Sequence, residues 1–195
     1  IRNKHPRVIT MLFKLLFPGV IFHELSHYLA CIVAGVKVHN VRFFGFKEAF
    51  VQHEVPTAGK SIAITLAPFA LNNLLGIWLL FFAHELLLAQ SIISIFFYWL
   101  SISFIFHSFP STQDAMNSFN ATKSFFIGKI TKGKARSRLA WLIISPVVFI
   151  PVLLLTGLLL VIDSFQVLKV VWLLLAIAFT MQPGPLLHLI NNLFI

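Results

Sequence analysis

The stretch His23-Glu24-Leu25-Ser26-His27 is an H-E-x-x-H motif. On a helix, residues four apart face the same way, offset by about 40° and about 6 Å along the axis. Two imidazoles so placed can take adjacent corners of a tetrahedral zinc ion, and Glu24 between them can act as general base on a water at the open position. A chain with eight His and four Glu would produce this pattern by chance in roughly 0.7% of shuffles. Three ionisable residues in one turn of an apolar helix are also costly unless they pair, bind an ion or line a wet cavity. The spacing therefore favours a metal site over a structural polar cluster.

A catalytic zinc takes three protein ligands and keeps one position open, so one zinc per chain needs a third donor. Of the six acids, Glu85 and Asp163 fall in two tight turns, and Glu48 and Glu54 in a connection that reads as solvated. Asp114 follows the third apolar run through Pro110, on the same membrane half as His23 and His27. A proline there ends the helix and lets the chain turn back into the protein. Asp114 is the first candidate and His107 the substitute. His84-Glu85 starts like the motif but has Leu88 where the second His would stand.

These residues must be held by elements that lie largely in an apolar medium. Apolar residues make up 58% of the 195 and charged residues 11%, with 22 Phe and a mean hydropathy of +0.91. A water-soluble domain carries roughly a quarter charged residues. The expected fold class is an all-α polytopic membrane protein with about five transmembrane helices and a short membrane-associated β-hairpin after the first. The spans read as residues 8–35, 61–82, 86–109, 139–162 and 167–190, each near the length that crosses a bilayer. The first three, with an Asp loop over 110–120, form the core of a single membrane-embedded domain, and the last two are accessory. Tight turns are expected at Ala83-His84-Glu85 and at Asp163–Gln166. Val36–Lys60 reads as a hairpin or edge strand, being β-branched and aromatic up to Gly45 and closed by Pro56 and Gly59. Pro18-Gly19 either kinks the motif helix or is a tolerated proline.

The net charge is +9, but the bases sit in short segments between apolar runs, which reads as orientation signal and gives no reason to invoke nucleic acid. Ten Lys and Arg between Lys37 and Arg138 fall on one side. The other five, from Arg2 to Lys14 plus Lys169, fall on the opposite side. That division makes the first side cytoplasmic, with the N-terminus outside, the C-terminus inside and the site towards the cytoplasm.

Phe22-His23-Glu24-Leu25-Ser26-His27, followed by Ala34-Gly35-Val36-Lys37-Val38 and Val41–Phe46, resembles the site-2 protease family of intramembrane zinc metalloproteases. In that family the motif helix leads into a Gly-Val-x-Val segment and a membrane-associated β-hairpin. The family's Gly-Pro-x-x-Asn motif is matched by Ala67-Pro68-Phe69-Ala70-Leu71-Asn72-Asn73, and its proline-containing Asp motif by Phe109-Pro110-Ser111-Thr112-Gln113-Asp114. The Asn falls four or five residues after the Pro rather than three, so either Asn72 or Asn73 takes that place. Ala115 and Met116 stand where the family usually has glycines. The resemblance covers roughly residues 8–120 and implies an active site towards the cytoplasmic side.

The chemistry expected is hydrolysis of peptide bonds in transmembrane protein substrates, within or near the lipid bilayer. Zinc on His23, His27 and Asp114 would activate a water, with Glu24 shuttling its proton. An amide of Asn72 or Asn73 can bind the developing oxyanion or the substrate backbone. Their structural role would be hydrogen bonding between helices. Val38, Val41 and Phe43 are candidates for pairing with an unwound substrate strand. The alternatives are a catalytically inactive zinc-binding membrane protein acting as an interaction partner, and a small membrane transporter. Retention of Glu24 argues against the first, since holding metal does not need it, and the absence of an evident repeat argues against the second. Substrate identity and oligomeric state are left open.

Overall fold

A computed structural model describes residues 15–44, 49–132 and 135–181. Among them are six helices and one small sheet: α1 (Phe17–Val33), β1 (Val38–Arg42), β2 (Phe50–His53), α2 (Ala58–Leu88), α3 (Ile93–Phe106), α4 (Thr112–Lys132), α5 (Ala135–Ser164) and α6 (Gln166–Thr180). Two helical stretches, Ala58–Leu88 and Ala140–Ser164, are long and apolar enough to cross a membrane. Phe17–Val33, Ile93–Phe106 and Gln166–Thr180 are shorter apolar helices.

Helix α1 starts with Pro18 in its first turn, where a missing N–H costs nothing. It ends at Gly35, whose φ of +62° supports a two-bond C-terminal cap. Gly35 N–H donates to Ile32 and Val36 N–H to Cys31, the pattern that a left-handed residue after a helix allows. The chain then enters β1, which pairs antiparallel with β2 (Val38 opposite His53, Val41 opposite Val51). The expected hairpin is present; Gly45, Phe46 and Glu48 lie outside the described residues.

The boundary between the second and third helices differs from expectation. Ala83-His84-Glu85 is not a turn: it lies inside α2, which runs on to Leu88. His and Glu are compatible with a helix interior, and their polarity alone suggested a break. The real stop uses Gln90, a non-glycine residue at φ +56°. Gln90 N–H donates to Leu87 and Ser91 N–H to Leu86, repeating the α1 cap without its glycine.

The expected Asp loop over 110–120 is also replaced by structure. Helix α4 begins at Thr112 and places Asp114 in its first turn. It packs on α2 and along α5, and Phe119 meets Phe149 while Phe125 and Phe126 meet Trp141. The two helices thus form an antiparallel hairpin that returns Asp163 to Thr112. Residues 129–132 lie about 25 Å along α4 from Asp114 at 1.5 Å per residue. Lys129 therefore stands far from Asp114, whereas Asp163 and Lys169 stand beside the first turn of α4. This corrects the placement of Asp163 and Lys169 across the bundle from Asp114. Residues 1–14 and 182–195, which carry the start of the first expected span and the end of the last, lie outside the described residues.

Helices α1, α2 and α3 approach closely through small residues. A Cβ on Gly19 would fall on the Ser103 carbonyl oxygen, with the carbonyl carbon at 2.6 Å, and one on Gly76 would come within 2.6 Å of Ile105. Ser103 Oγ donates to Leu16 O (2.6 Å) and accepts from Gly19 N–H (2.7 Å). Ser101 Oγ donates to Gly76 O at 2.6 Å. Small residues and hydroxyls at helix contacts permit such proximity. Below this layer Leu80, Ile105 and Ala176 form the apolar core that joins α6 to α2 and α3.

Candidate metal centre

His23 and His27 are both buried, on the face of α1 turned towards α2 and α3. His23 Nδ1 lies 2.7 Å from the His107 carbonyl oxygen, and His27 Nδ1 lies 2.9 Å from that of Ile64. A carbonyl can only accept, so each Nδ1 carries the proton and each Nε2 presents a lone pair. This is how metal-binding imidazoles are oriented by a second layer of partners.

Both carbonyls owe their availability to proline. The α2 residue four after Ile64 is Pro68, which has no N–H to offer it. Three residues after His107 stands Pro110, again without a donor, and the next N–H, that of Ser111, goes to Asp114 Oδ2 at 2.9 Å. Each histidine thus finds a carbonyl that no helical N–H occupies, the His107 oxygen being shared with Asn72 Nδ2.

The two Nε2 atoms are 3.2 Å apart. Asp114 Oδ2 is 3.7 Å from the first and 3.4 Å from the second. Adjacent corners of a tetrahedron with metal–ligand bonds of about 2.0–2.2 Å are about 3.3–3.6 Å apart. The triangle of two lone pairs and a carboxylate oxygen fits that shape, and three converging acceptors call for a cation. His23, His27 and Asp114 together could hold a metal ion. Ser111 Oγ donates to the same Asp114 oxygen at 2.6 Å, and Thr65 Oγ1 donates to the Asp114 carbonyl at 3.1 Å. The Ser111 N–H and hydroxyl thus both donate to Asp114 Oδ2, which favours the charged carboxylate.

The triangle opens into a cavity of about 590 Å³ that Glu24 also lines, a size in the range of small-ligand and substrate pockets. Its walls come from β2 (Phe50, Val51, His53), the start of α2 (Ser61, Ile64, Thr65) and the start of α4 (Thr112, Gln113, Asn117), with Asp163 at its edge.

The other expected site residues lie elsewhere. Asn72 is fully buried. Its Oδ1 accepts from Ser26 Oγ at 3.0 Å, and its Nδ2 donates to the His107 carbonyl at 3.3 Å, so it supports the oxygen that orients His23. Asn73 donates to Phe69 O (2.7 Å) and accepts from Trp172 Nε1 (2.8 Å), tying α6 to α2. Neither asparagine lines the cavity. His107, the substitute ligand, contributes its carbonyl, while its ring Nδ1 turns to Ser103 O at 3.1 Å. Val38 and Val41 lie in β1, one strand removed from the cavity. Phe43 follows that strand and packs edge-on against Tyr28 at 5.8 Å. Glu54 is exposed beside His39 at 3.9 Å, and His84 meets Tyr98.

Ser111 escaped the sequence reading although its signal was present. Ser111-Thr112-Gln113-Asp114 has the spacing of a capping box, in which side chains of the residue before a helix and of its third residue bond each other's backbone N–H. Here Asp114 N–H donates to Ser111 Oγ at 3.2 Å in return for the Ser111 N–H bond. No family model matches the chain, and the comparisons with curated proteins and with solved structures likewise find no match.

Proposed function

We propose that this protein is a membrane-embedded zinc metalloprotease of the site-2 protease type, hydrolysing peptide bonds of membrane-spanning substrates within or near the bilayer. The observation that carries the reading is the ligand triangle of His23, His27 and Asp114 opening on the cavity that Glu24 lines. The membrane setting is supported by the apolar outer face of α5, where Ile143, Val147, Leu154 and Leu158 are all exposed. In water such a continuous patch would be a liability.

Bound at the triangle, zinc supplies Lewis acidity, lowering the pKa of a water towards neutrality and polarising the scissile carbonyl. The imidazoles arrive pre-oriented by the Ile64 and His107 carbonyls, so ligand geometry requires no rearrangement. Glu24 takes a proton from the attacking water and passes it to the departing amine. An extended substrate segment entering the cavity meets β2, the strand on its wall, rather than β1.

The test is zinc content of the detergent-purified protein, with cleavage of a reporter carrying a helix-destabilised transmembrane segment. Wild type and Glu24→Gln are expected to hold about one zinc per chain and Asp114→Ala to lose it. Glu24→Gln should cut cleavage by about 10²- to 10⁴-fold. A wild type without zinc sinks the reading. Zinc with no hydrolysis of any such reporter favours a non-catalytic zinc protein.

A further inference from the structure

We propose that Asp163, at the end of α5, is a positioning residue for the third metal ligand: it clamps the first turn of α4 and so fixes Asp114. The proposal rests on the metal-centre reading above and extends the site to the α5–α6 hairpin.

The start of any helix leaves backbone N–H groups without partners inside the helix. At the start of α4 two such groups are captured by two different carboxylates. Ser111 N–H goes to Asp114 itself, and Thr112 N–H goes to Asp163 Oδ2 at 3.0 Å. The Thr112 hydroxyl donates to the same Asp163 oxygen at 2.6 Å. Asp163 Oδ1 is taken by Lys169 Nζ at 3.0 Å, from the first turn of α6.

Both Asp163 oxygens are therefore engaged, one on α4 and one on α6. Although Asp163 borders the cavity, it stands outside the ligand triangle. It reaches 51 residues back along the chain to Thr112, two residues before the ligand. The carboxylate of Asp114 sits on the most N-terminal turn of its helix, where fraying would move it most. Anchoring Thr112 through both its N–H and its hydroxyl removes that freedom.

The probe is cobalt(II) bound to the full-length, detergent-purified protein, read by chelator competition and by the visible d–d spectrum. Loss of an outer partner of a metal ligand typically costs about 10- to 100-fold in affinity. Asp163→Ala is expected at about the tenfold end, with an altered d–d envelope. Asp163→Asn keeps an oxygen for both Thr112 donors but turns an amide NH₂ towards Lys169, so it should weaken binding less than Asp163→Ala. Thr112→Val should weaken binding less than Asp163→Ala, and the double variant should be no worse than Asp163→Ala alone, because both remove one shared contact. Unchanged affinity and spectrum in Asp163→Ala overturn the proposal. So does Asp163→Asn failing as badly as Asp163→Ala, which would place the effect in the charge of Asp163 or its pairing with Lys169 rather than in the Thr112 clamp. Should Asp163→Ala not fold, Asp163→Asn and Thr112→Val carry the same comparison. If the wild type binds no cobalt, the metal reading fails by itself. The clamp is then read in metal-free protein by hydrogen exchange over residues 111–118, faster in Asp163→Ala than in Asp163→Asn if the clamp exists and equal if it does not.

Discussion

The two sides of the ligand triangle are built by different means. His23 and His27 come from consecutive turns of one helix and are oriented by backbone carbonyls in the buried contact between α1, α2 and α3. Asp114 comes from the first turn of another helix, is partly exposed, and is held by side-chain hydroxyls and by its own cap. The histidine side thus depends on how closely three helices pack. The aspartate side depends on a few hydrogen bonds at one helix start. Disturbing the packing should therefore cost more than disturbing any single bond.

The largest effect is expected at Gly19. Its hydrogen lies against the Ser103 carbonyl, and a methyl there would also come within 2.7 Å of His107 Nδ1. Backbone cannot step aside as a flexible side chain can, so Gly19→Ala must push α1 away from α3. Overpacking of this kind costs about 1–3 kcal/mol or more. It also moves His23 off the His107 carbonyl, so metal affinity should fall by more than the about 100-fold upper range for an outer partner. Gly128→Ala is the matching control. A Cβ there meets nothing within 4 Å, and alanine favours the helix by about 1 kcal/mol over glycine. Thermal melting and metal titration of both variants decide the matter. Equal metal affinity in the two would refute the view that close packing sets the histidine side.

Asn72 and Asn73 sharpen the same contrast with a smaller effect. Asn72→Ala removes a donor from the His107 carbonyl and leaves Ser26 without its inter-helix partner. Metal affinity should drop by about 10- to 100-fold. Asn73→Ala removes the bond from Trp172 and should cost about 1 kcal/mol of stability, with metal affinity within about threefold of wild type. Equal losses of affinity would mean that the inner layer of the site extends to α6.

The histidine side was legible because it is local. Four-residue spacing places His23 and His27 on one face wherever a helix forms, and Gly35 marks that helix's end. Asp114 was legible only as a carboxylate just past the end of the third apolar run. That it starts a helix is written in the Ser111–Asp114 spacing, a weak signal beside Pro110, which by itself reads as the opening of a loop. The α2–α3 boundary went astray because its left-handed cap uses Gln90, and nothing in the local sequence distinguishes that Gln from any other. The place of Asp163 was invisible for a different reason. It depends on α4 and α5 pairing as a hairpin, a tertiary fact that charge counting along the chain cannot recover. Asn72 and Asn73 could not be separated either, since one residue of helical rotation sends one amide to α3 and the other to α6.

The smallest effect sets stability against function at a single residue. Pro68 sits inside α2 and is fully buried, and an interior proline costs a helix about 3 kcal/mol relative to alanine. Its use lies one turn earlier, at the Ile64 carbonyl that accepts from His27. Pro68→Ala returns an N–H to that carbonyl and lets the helix compete for it. Lost packing of the ring offsets part of the gain, so the net rise in stability should be about 1 kcal/mol. Metal affinity should fall by about threefold to tenfold, at or below the lower end of the range for an outer partner. A higher melting temperature with weaker metal binding would show that the proline serves the histidine at the helix's expense. A higher melting temperature with unchanged binding would mean that the carbonyl's second lone pair satisfies both donors, and that the hold on His27 does not need the proline.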